Sequence, residues 1–329
     1  MILRRLVTFL LLGFCIQPVF SQEKKQFIVL DPGVELYLFP EKKSEVLKRL
    51  PFGEILSSEN QKEADSKFQL LTDRDGLTGW VDSRSLFKMG SKGSYPVITK
   101  AIEKLLYQDS GPNELESVFT YLTKIEEGPI FQGNEYLFLK VRRLVVLQRY
   151  LEVLQSPEYR SKSRQKLEDV LKNNPSEVGV YSKTGIWSEN LTNSPEGSKL
   201  KVRPESFWKI AEAYPDSKPG DFSAYLAVKY TPEVRCGKDP ICVLQDEENR
   251  RLKYLLLQPN GNYAPIFSTH LEKRLLSFSK DRETLVCDTK LQKEPQLKSF
   301  RSKVQELPAR YGKKFYSKLR VIEEECLKK

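Results

Sequence analysis

Residues 76–81 read Gly-Leu-Thr-Gly-Trp-Val, and an Asp-Arg-Asp cluster typical of a tight turn stands directly before them. Three earlier stretches have the same character, with apolar residues alternating or grouped over five positions: 34–38, 52–56 and 68–72. Proline, glycine and aspartate separate these stretches about every ten residues. Short strands with regular turn signals predict a small β-barrel or sandwich over residues 22–90.

The pattern also predicts the interior of this barrel. Gly79 is expected to let the backbone bend tightly beside Trp80, whose ring then closes one end of the barrel. Because alternate residues of a strand face the same side, five apolar residues are the expected core: Leu36, Val46, Ile55, Leu70 and Val81.

Two segments resemble the bacterial SH3 (SH3b) domain family. Residues 46–53, Val-Leu-Lys-Arg-Leu-Pro-Phe-Gly, are similar to that family's "V-I-x-x-L-x-x-G" segment. Residues 76–81, followed by Ser85-Leu86, resemble its closing "G-x-x-G-W-V…Y-L" segment. The resemblance covers residues 27–88 and implies an SH3-like barrel that binds or positions a ligand.

Aromatic and acidic residues of the predicted barrel are the candidate ligand-binding groups. Tyr37, Phe39 and Trp80 supply rings, while Asp73 and Asp75 lie in the loop before the last strand. Rings beside acids can hold a peptide, or the stem and amine of a wall-peptide residue. The competing interpretation is that these side chains pack in the core and at its rim.

The first twenty-one residues have the layout of a secretory signal peptide. A short basic start is followed by an apolar run over 6–14, and Val19 and Ser21 occupy the −3 and −1 positions of a cut before Gln22. We therefore expect export to the periplasm or cell surface. In the alternative, Cys15 in Leu-Gly-Phe-Cys is acylated, as in a lipoprotein, and the protein is lipid-anchored.

Four cysteines remain after the signal: Cys236, Cys242, Cys287 and Cys326. In an exported chain they predict disulfides, and three pairings are open. We favour Cys236–Cys242, which closes a short loop, together with Cys287–Cys326, which holds the C-terminal helix.

A polar linker at 91–96 leads to a region, 97–329, in which apolar residues follow helical spacing throughout. Pro112 is expected at the first turn of the second helix. Three stretches end in proline 40 and 44 residues apart, at Pro175, Pro215 and Pro259, and each predicts a helix, a turn and a further helix.

Residues 211–217, Ala-Glu-Ala-Tyr-Pro-Asp-Ser, resemble the turn of tetratricopeptide-like (TPR-like) repeats in bacterial envelope assembly proteins. The resemblance implies stacked helical hairpins, whereas the residues alone also allow an irregular helical bundle. The expected fold class is therefore β followed by α, with a small SH3-like β-barrel before an α-helical repeat domain.

Catalytic patterns are scarce in this sequence. His270 is the only histidine, and we expect it on a helix surface. Three adjacent acids, Asp246-Glu247-Glu248, are expected to be solvated because neighbours on a helix point different ways. Phosphate-binding, dinucleotide-binding and EF-hand motifs are absent from the sequence, and we expect no metal site and no cofactor.

Lys and Arg number 54 against 44 Asp and Glu, which gives a net charge of +10 spread among charges of both signs. The expected function is a non-catalytic exported scaffold, not an enzyme. Its barrel would bind wall peptide or a protein tail, and its helices a protein partner, with peripheral or lipid-anchored membrane association left open and no nucleic-acid partner. The alternative is a peptidoglycan hydrolase with an acidic site in the helical domain, since paired carboxylates need no fixed sequence spacing.

Overall fold

The computed structural model describes residues 25–58, 67–89, 94–126, 131–182, 186–189, 197–232, 234, 236, 239–280 and 293–327. The predicted signal peptide with Cys15, as well as Cys287 and the side chain of Cys326, lie outside the described residues. The predicted linker at 91–96 overlaps the first helical turn, since the helix begins at Ser94.

Seven antiparallel strands form the N-terminal sheet. They are β1 (Lys25–Val29), β2 (Val34–Tyr37), β3 (Val46–Leu50), β4 (Ile55–Ser58), β5 (Phe68–Thr72), β6 (Thr78–Asp82) and β7 (Leu86–Lys88). Their order is β3-β2-β6-β5-β4-β1-β7, so β3 and β7 lie at the ends of the sheet. The strands predicted at 34–38, 68–72 and 79–81 are confirmed, and the looser stretch at 52–56 supplies only the start of β4.

One face of this sheet surrounds a cluster of buried side chains: Phe27, Val29, Val34, Leu36, Leu50, Leu56, Leu71 and Val81. The predicted core is right at Leu36 and Val81. It is wrong at Val46, which is 41% exposed on the end strand β3. It is also wrong at Ile55 and Leu70, which are half-buried because the period of two puts their neighbours Leu56 and Leu71 inside.

The outer face of β1 and β4 packs against helices, which explains where Ile55 points. Ile28 lies directly opposite Ile55 and joins a second buried cluster made mostly of helical side chains. The turn before β4 belongs to the same contact, because the Phe52 ring meets the Tyr121 ring edge-on at a centroid distance of 5.4 Å. The backbone N–H of Phe52 also donates to Ser117 Oγ, with an N–O distance of 2.7 Å.

Gly53 makes this close approach possible. Its φ is +80°, and a Cβ at this position would lie 2.0 Å from Cδ2 of Tyr121. The leucine-proline-phenylalanine-glycine turn therefore joins the sheet to the helices.

Eleven α-helices are present in the described part of the chain. They are α1 (Ser94–Tyr107), α2 (Pro112–Glu126), α3 (Gly133–Leu154), α4 (Arg164–Asn173), α5 (Pro204–Ala213), α6 (Lys218–Tyr230), α7 (Pro240–Glu247), α8 (Lys253–Leu257), α9 (Ala264–Lys280), α10 (Lys293–Glu306) and α11 (Ala309–Leu327). A single π-helical turn, Glu248–Leu252, connects α7 to α8. Pro112 begins α2, as the sequence predicts.

A second sheet interrupts the helices, so the prediction of helices throughout 97–329 is wrong there. Its strands are β8 (Val178–Tyr181), β9 (Trp187–Ser188) and β10 (Lys199–Val202), in the order β10-β8-β9. Val178, Val180, Leu200 and Val202 are buried and join the main helical core. β-branched residues at alternating positions favour a strand, and here they outweigh the helical surroundings.

Two of the three predicted helix–turn–helix units are present. α5 and α6 form one around Pro215, and α8 and α9 form another around Pro259. The prediction of a helix–turn–helix unit at Pro175 is wrong, because strand β8 follows α4 there. In the α5–α6 turn, Ser217 Oγ accepts from Gly220 N at 3.0 Å and donates to Tyr214 O at 2.8 Å, which caps α6.

A buried arginine connects α2, α3 and the approach to β8. The Arg143 guanidinium on α3 donates to Glu126 Oε1 at 2.9 Å and also binds Glu177. Arg143 is almost fully buried, while both glutamates are partly exposed. The pair of carboxylates supplies the charge that burial of the guanidinium requires.

Candidate functional site

The outer face of β2, β5 and β6 carries a row of aromatic and aliphatic side chains, which we call the aromatic platform: Tyr37, Phe68, Leu70 and Trp80. Tyr37 lies opposite Trp80, and Trp80 lies opposite Leu70. Directly paired residues of antiparallel strands share a face, so these side chains are neighbours. The Tyr37 and Phe68 rings meet edge-on at 6.0 Å. Trp80 and Leu70 remain half-exposed and form the accessible part.

Gly79 allows β2 to lie close to β6 at this point. A Cβ on Gly79 would lie 2.7 Å from Leu36 Cγ and 2.9 Å from the carbonyl oxygen of Tyr37. Its φ is outside the left-handed region, so the glycine serves close strand packing and not the tight bend that the sequence predicts. Trp80 lies on the face opposite Val81 and does not enter the sheet core.

Charged groups beside the platform are paired with one another. The Tyr37 hydroxyl donates to Glu35 Oε2 at 2.7 Å, and this hydrogen bond, with burial, raises the pKa of Tyr37. Arg84 donates to both oxygens of Asp82, at 3.0 and 2.6 Å, and lowers the pKa of that carboxyl to about 2. Arg49 Nε lies 3.5 Å from Glu35 Oε1. The surroundings of the platform therefore offer paired acids and bases with little net charge.

Phe39 extends the apolar surface beyond the end of β2. Its side chain is 58% exposed, and that of Leu38 is exposed as well. The Phe39 backbone N–H donates to Ser44 Oγ at 2.8 Å, and Leu38 N donates to Glu45 O at 2.9 Å. A tight hairpin thus holds two adjacent apolar side chains in solvent just beyond Tyr37.

The two acids of the β5–β6 turn bind a lysine of the same chain. Lys48 Nζ lies 2.6 Å from Asp73 Oδ2 and 2.7 Å from Asp75 Oδ2. Asp73 Oδ1 also accepts from the backbone N–H groups of Asp75 and Leu77, each at 2.9 Å. Burial raises the pKa of Asp73, but the bonds from Lys48 and the two N–H groups outweigh it and lower the pKa overall.

Of the five sequence-predicted site residues, the structure thus brings Tyr37 and Trp80 together and places Phe39 two residues beyond Tyr37. Asp73 and Asp75 lie at the end of the β5–β6 hairpin, where they hold the turn against β3. A ligand amine at these two acids would have to replace Lys48.

The expectation that the acids at 246–248 are solvated is wrong. All three are buried, with Glu247 at 0% exposure. Each is paired with a cation: Asp246 with Arg250 at 3.0 Å, Glu247 with Arg251 at 2.5 Å, and Glu248 with Lys303 at 2.5 Å. Asp246 and Glu247 end α7 and Glu248 begins the π-helical turn, which packs against α6, α9 and α10. Two of the contacts join helices: Glu248 binds Lys303 of α10, and Glu247 Oε1 lies 3.7 Å from Arg274 Nε of α9.

Other residues with reactive side chains are placed as follows. His270 is exposed on α9. Cys236 and Cys242 form a disulfide with a Cα–Cα distance of 5.4 Å, which confirms that pairing. Within the described ranges, no cluster of three His, Cys, Asp or Glu side chains has the geometry to hold a metal ion. No helix of the described residues is both long and apolar enough to cross a membrane.

The sequence did not predict one cluster of basic side chains. Lys199, Lys201 and Lys229 line a cleft of about 610 Å³ together with Tyr230 and Arg250. The signal that could have revealed it is the alternation Lys-Leu-Lys-Val at 199–202, which places two lysines on one face of a strand.

No protein-family model matches this chain, and searches of curated proteins and of solved structures also give no match. The resemblances to SH3b domains and TPR-like repeats therefore stay predictions.

Proposed function

We propose that this chain is a non-catalytic, exported binding protein of a bacterial cell envelope. In this proposal residues 22–90 are an SH3-like barrel that binds a short peptide, either of the cell wall or of a protein tail. The helical region is a TPR-like scaffold that holds a protein partner. The secretory pattern of residues 1–21 supports export, and the disulfide Cys236–Cys242 is consistent with an oxidising compartment.

The aromatic platform is the observation that carries the proposal. Paired strands on both sides fix the backbone of Trp80, and the residue is only partly buried, so a ligand can contact it with little loss of backbone freedom. Covering the remaining face of a half-exposed Trp contributes on the order of 1–2 kcal/mol. The paired charges around Tyr37 leave hydrogen-bonding groups at the edge while keeping the net charge low, which suits a peptide better than a polyanion.

The α5–α6 hairpin supports the TPR-like assignment. Its turn carries the Tyr-Pro-Asp-Ser sequence, with Ser217 as the cap of α6. Ser223 Oγ donates to the carbonyl of Phe207 at 2.8 Å and holds the two helices close together. Both helices also pack on α3, as stacked hairpins would.

Sedimentation with purified wall sacculi tests the proposal on the chain from Gln22 onward. Trp80→Ala should lower retention about tenfold, since it removes the accessible ring of the platform. Trp187→Ala is the matched control, because Trp187 is also half-buried but lies on β9. It should be retained like the unaltered chain, and circular dichroism should show that both variants are folded.

A second comparison separates the two kinds of peptide. Sacculi stripped of their peptides by an amidase should lose retention if wall peptide is the ligand. A displayed peptide library, selected with the unaltered chain and re-tested with Trp80→Ala and Trp187→Ala, covers protein tails. Equal binding by both variants in both experiments would remove the platform from the function.

A further inference from the structure

The cleft lined by Lys199, Lys201 and Lys229, which we call the lysine pocket, lies between the end of α3, strand β10, the end of α6 and the π-helical turn. Its volume is about 610 Å³. The ammonium groups come from two separate elements, since Lys199 and Lys201 belong to β10 and Lys229 to α6. The side chain of Tyr230 and two prolines, Pro157 and Pro232, add apolar wall.

Strand β10 is held rigidly on α3. The Leu200 N–H donates to Gln155 Oε1 at 2.7 Å, and the Val202 N–H donates to Gln148 Oε1 at 2.9 Å. Gln155 Nε2 donates in return to the Leu200 carbonyl at 3.0 Å. Leu200 and Val202 are buried, so the alternation of the strand directs Lys199 and Lys201 to the opposite face. The two lysines therefore start from a fixed backbone.

The lysines carry charge that the described residues do not neutralise. None of Lys199, Lys201 and Lys229 forms an ion pair with a carboxylate of the described chain. Glu152 is the acid of the lining, and it already accepts from Gln148 at 2.9 Å and lies 3.6 Å from Arg149. Burial and the charge of Lys199 lower the pKa of Lys201, with Glu152 acting in the opposite direction.

Arg250 adds a guanidinium to the lining from the π-helical turn, held by Asp246 at 3.0 Å. Single π-helical turns occur frequently at functional sites. The guanidinium is nearly buried and paired with Asp246, so it lines the pocket from a fixed position, and the three lysines supply the charge for a ligand.

We propose that the lysine pocket binds a phosphate ester. Lysine ammoniums act as point charges that suit the several oxygens of a phosphate group, whereas carboxylates are best matched by the fork of an arginine. The pocket is much larger than one phosphate, and Tyr230 with the two prolines provides contact for the carbon framework of the ester. Two sources share this chemistry, a soluble sugar phosphate and a phospholipid headgroup.

The proposal is independent of the peptide-binding function, because the lysine pocket and the aromatic platform share no residue. Trp80→Ala should leave phosphate binding unchanged, so failure of one proposal is distinguishable from failure of the other.

Isothermal titration of the chain from Gln22 onward with glucose 1-phosphate and with glucose tests the pocket. Glucose 1-phosphate should bind and glucose should not. The Lys201 ammonium lies 4.8 Å from the centre of the Tyr181 ring, and Lys201→Met removes this charge while keeping a long unbranched side chain, so it should weaken binding about tenfold or more. Lys172→Met, an equal loss of charge on the exposed face of α4, should change binding less than about twofold.

The double variant Lys199→Met/Lys229→Met tests the same pocket without changing Lys201, and it should also weaken binding about tenfold or more. Sedimentation with vesicles of phosphatidylcholine and phosphatidylglycerol in a three-to-one ratio supplies the lipid arm. Lys201-dependent binding to vesicles but not to glucose 1-phosphate assigns the site to a headgroup, and the reverse assigns it to a soluble ester. The proposal is overturned if neither probe binds, if Lys172→Met weakens binding as much as Lys201→Met, or if only an acidic peptide such as polyglutamate binds.

Discussion

Replacing Gly53 by alanine tests whether the sheet is packed against the helices. Gly53 has a φ of +80°, and a Cβ there would lie 2.0 Å from Cδ2 and 2.3 Å from Cγ of Tyr121. These distances are far below van der Waals contact, and the obstacle is an aromatic ring held by its own packing. The Tyr121 ring is buried against Phe52 and neighbouring side chains of the helical cluster, so it cannot move aside without disturbing them.

Two terms add to the expected loss of stability. The left-handed backbone conformation costs an alanine about 1 kcal/mol relative to glycine. Overpacking against Tyr121 costs about 1–3 kcal/mol more. Gly53→Ala should therefore lower the free energy of unfolding by about 2–4 kcal/mol.

Gly76→Ala is the matched control in a urea titration followed by circular dichroism. Gly76 has a φ of +84°, but a Cβ there would have no atom within 4 Å. Gly76→Ala should lower the free energy of unfolding only by the cost of the left-handed backbone, about 1 kcal/mol. The difference between the two variants then measures the steric contact with Tyr121.

A double-mutant cycle makes the contact itself the measured quantity. When Tyr121 is already alanine, the ring atoms are gone and only the Cβ of residue 121 remains, 2.8 Å from the new Cβ, so Gly53→Ala should cost less than in the unaltered chain, with a coupling of about 1 kcal/mol or more. Equal losses for Gly53→Ala and Gly76→Ala, together with no coupling to Tyr121, would refute the packing of this turn on α2.

Three further outcomes are expected. Asp82→Asn should destabilise the protein near neutral pH. The bonds from Arg84 hold the pKa of Asp82 at about 2 in the folded protein, below its unfolded value of about 3.9. The charged Asp82 therefore stabilises the fold above the unfolded pKa, and this stabilisation is lost as pH falls toward the folded pKa. Urea titrations from about pH 5 down to about pH 2 should show the difference from the unaltered chain disappearing. Replacing Cys236 and Cys242 by serine should cost about 2 kcal/mol by the loop-closure argument for a sequence separation of 6, measured by urea titration without reductant, and no loss would contradict it. Arg143→Met should cost about 3 kcal/mol because two glutamates lose their shared cation, and calorimetry that finds no lower melting temperature would count against the buried pairing.

Alternation in the N-terminal sequence predicts the sheet and two of its core residues, Leu36 and Val81, but not the facing of Ile55 and Leu70. Strands around 34–38, 68–72 and 79–81 follow from turn residues and short apolar runs. Alternation does not predict which side of the sheet Ile55 occupies, because both sides of β4 are covered. Leu56 faces the sheet core, and Ile55 lies toward the helices. When both faces of a strand are buried, the period of two no longer separates interior from exterior.

The candidate platform was only partly predictable. The sequence predicts Tyr37 and Trp80 as candidate ligand-binding rings of the barrel, but their direct pairing depends on the register of β2 against β6 and on a bulge between Leu36 and Tyr37. A register shift of one residue would have sent one ring to the other face. The sequence equally gives no sign that Lys48 is the partner of Asp73, because Lys48 lies on β3 and Asp73 in the β5–β6 turn, and only the folded sheet brings them together.

The second sheet was missed because proline and charge patterns on both sides are helical. The residues at 178–181 and 199–202 alternate valine or leucine with glycine, tyrosine or lysine, which is a strand signal over only four positions. The burial of the acids at 246–248 is not predictable from the local sequence, because acid–arginine pairs at i,i+4 also occur on exposed helix faces. Their cations Arg250 and Arg251 lie one helical turn away, but Lys303 comes from α10, so the need for buried charge arises from tertiary packing.

Both proposed binding surfaces are attached to one pair of helices. The turn at Phe52 and Gly53 fixes the N-terminal sheet to α2, and two glutamines, Gln148 and Gln155, fix β10 to α3. α2 and α3 pack on each other, and Arg143 of α3 binds Glu126 of α2. The distance between the aromatic platform and the lysine pocket is therefore set by packed side chains and not by a flexible linker. A fixed spacing favours two ligands, or two parts of one ligand, that match it, whereas a flexible linker would accept many separations at a lower effective concentration.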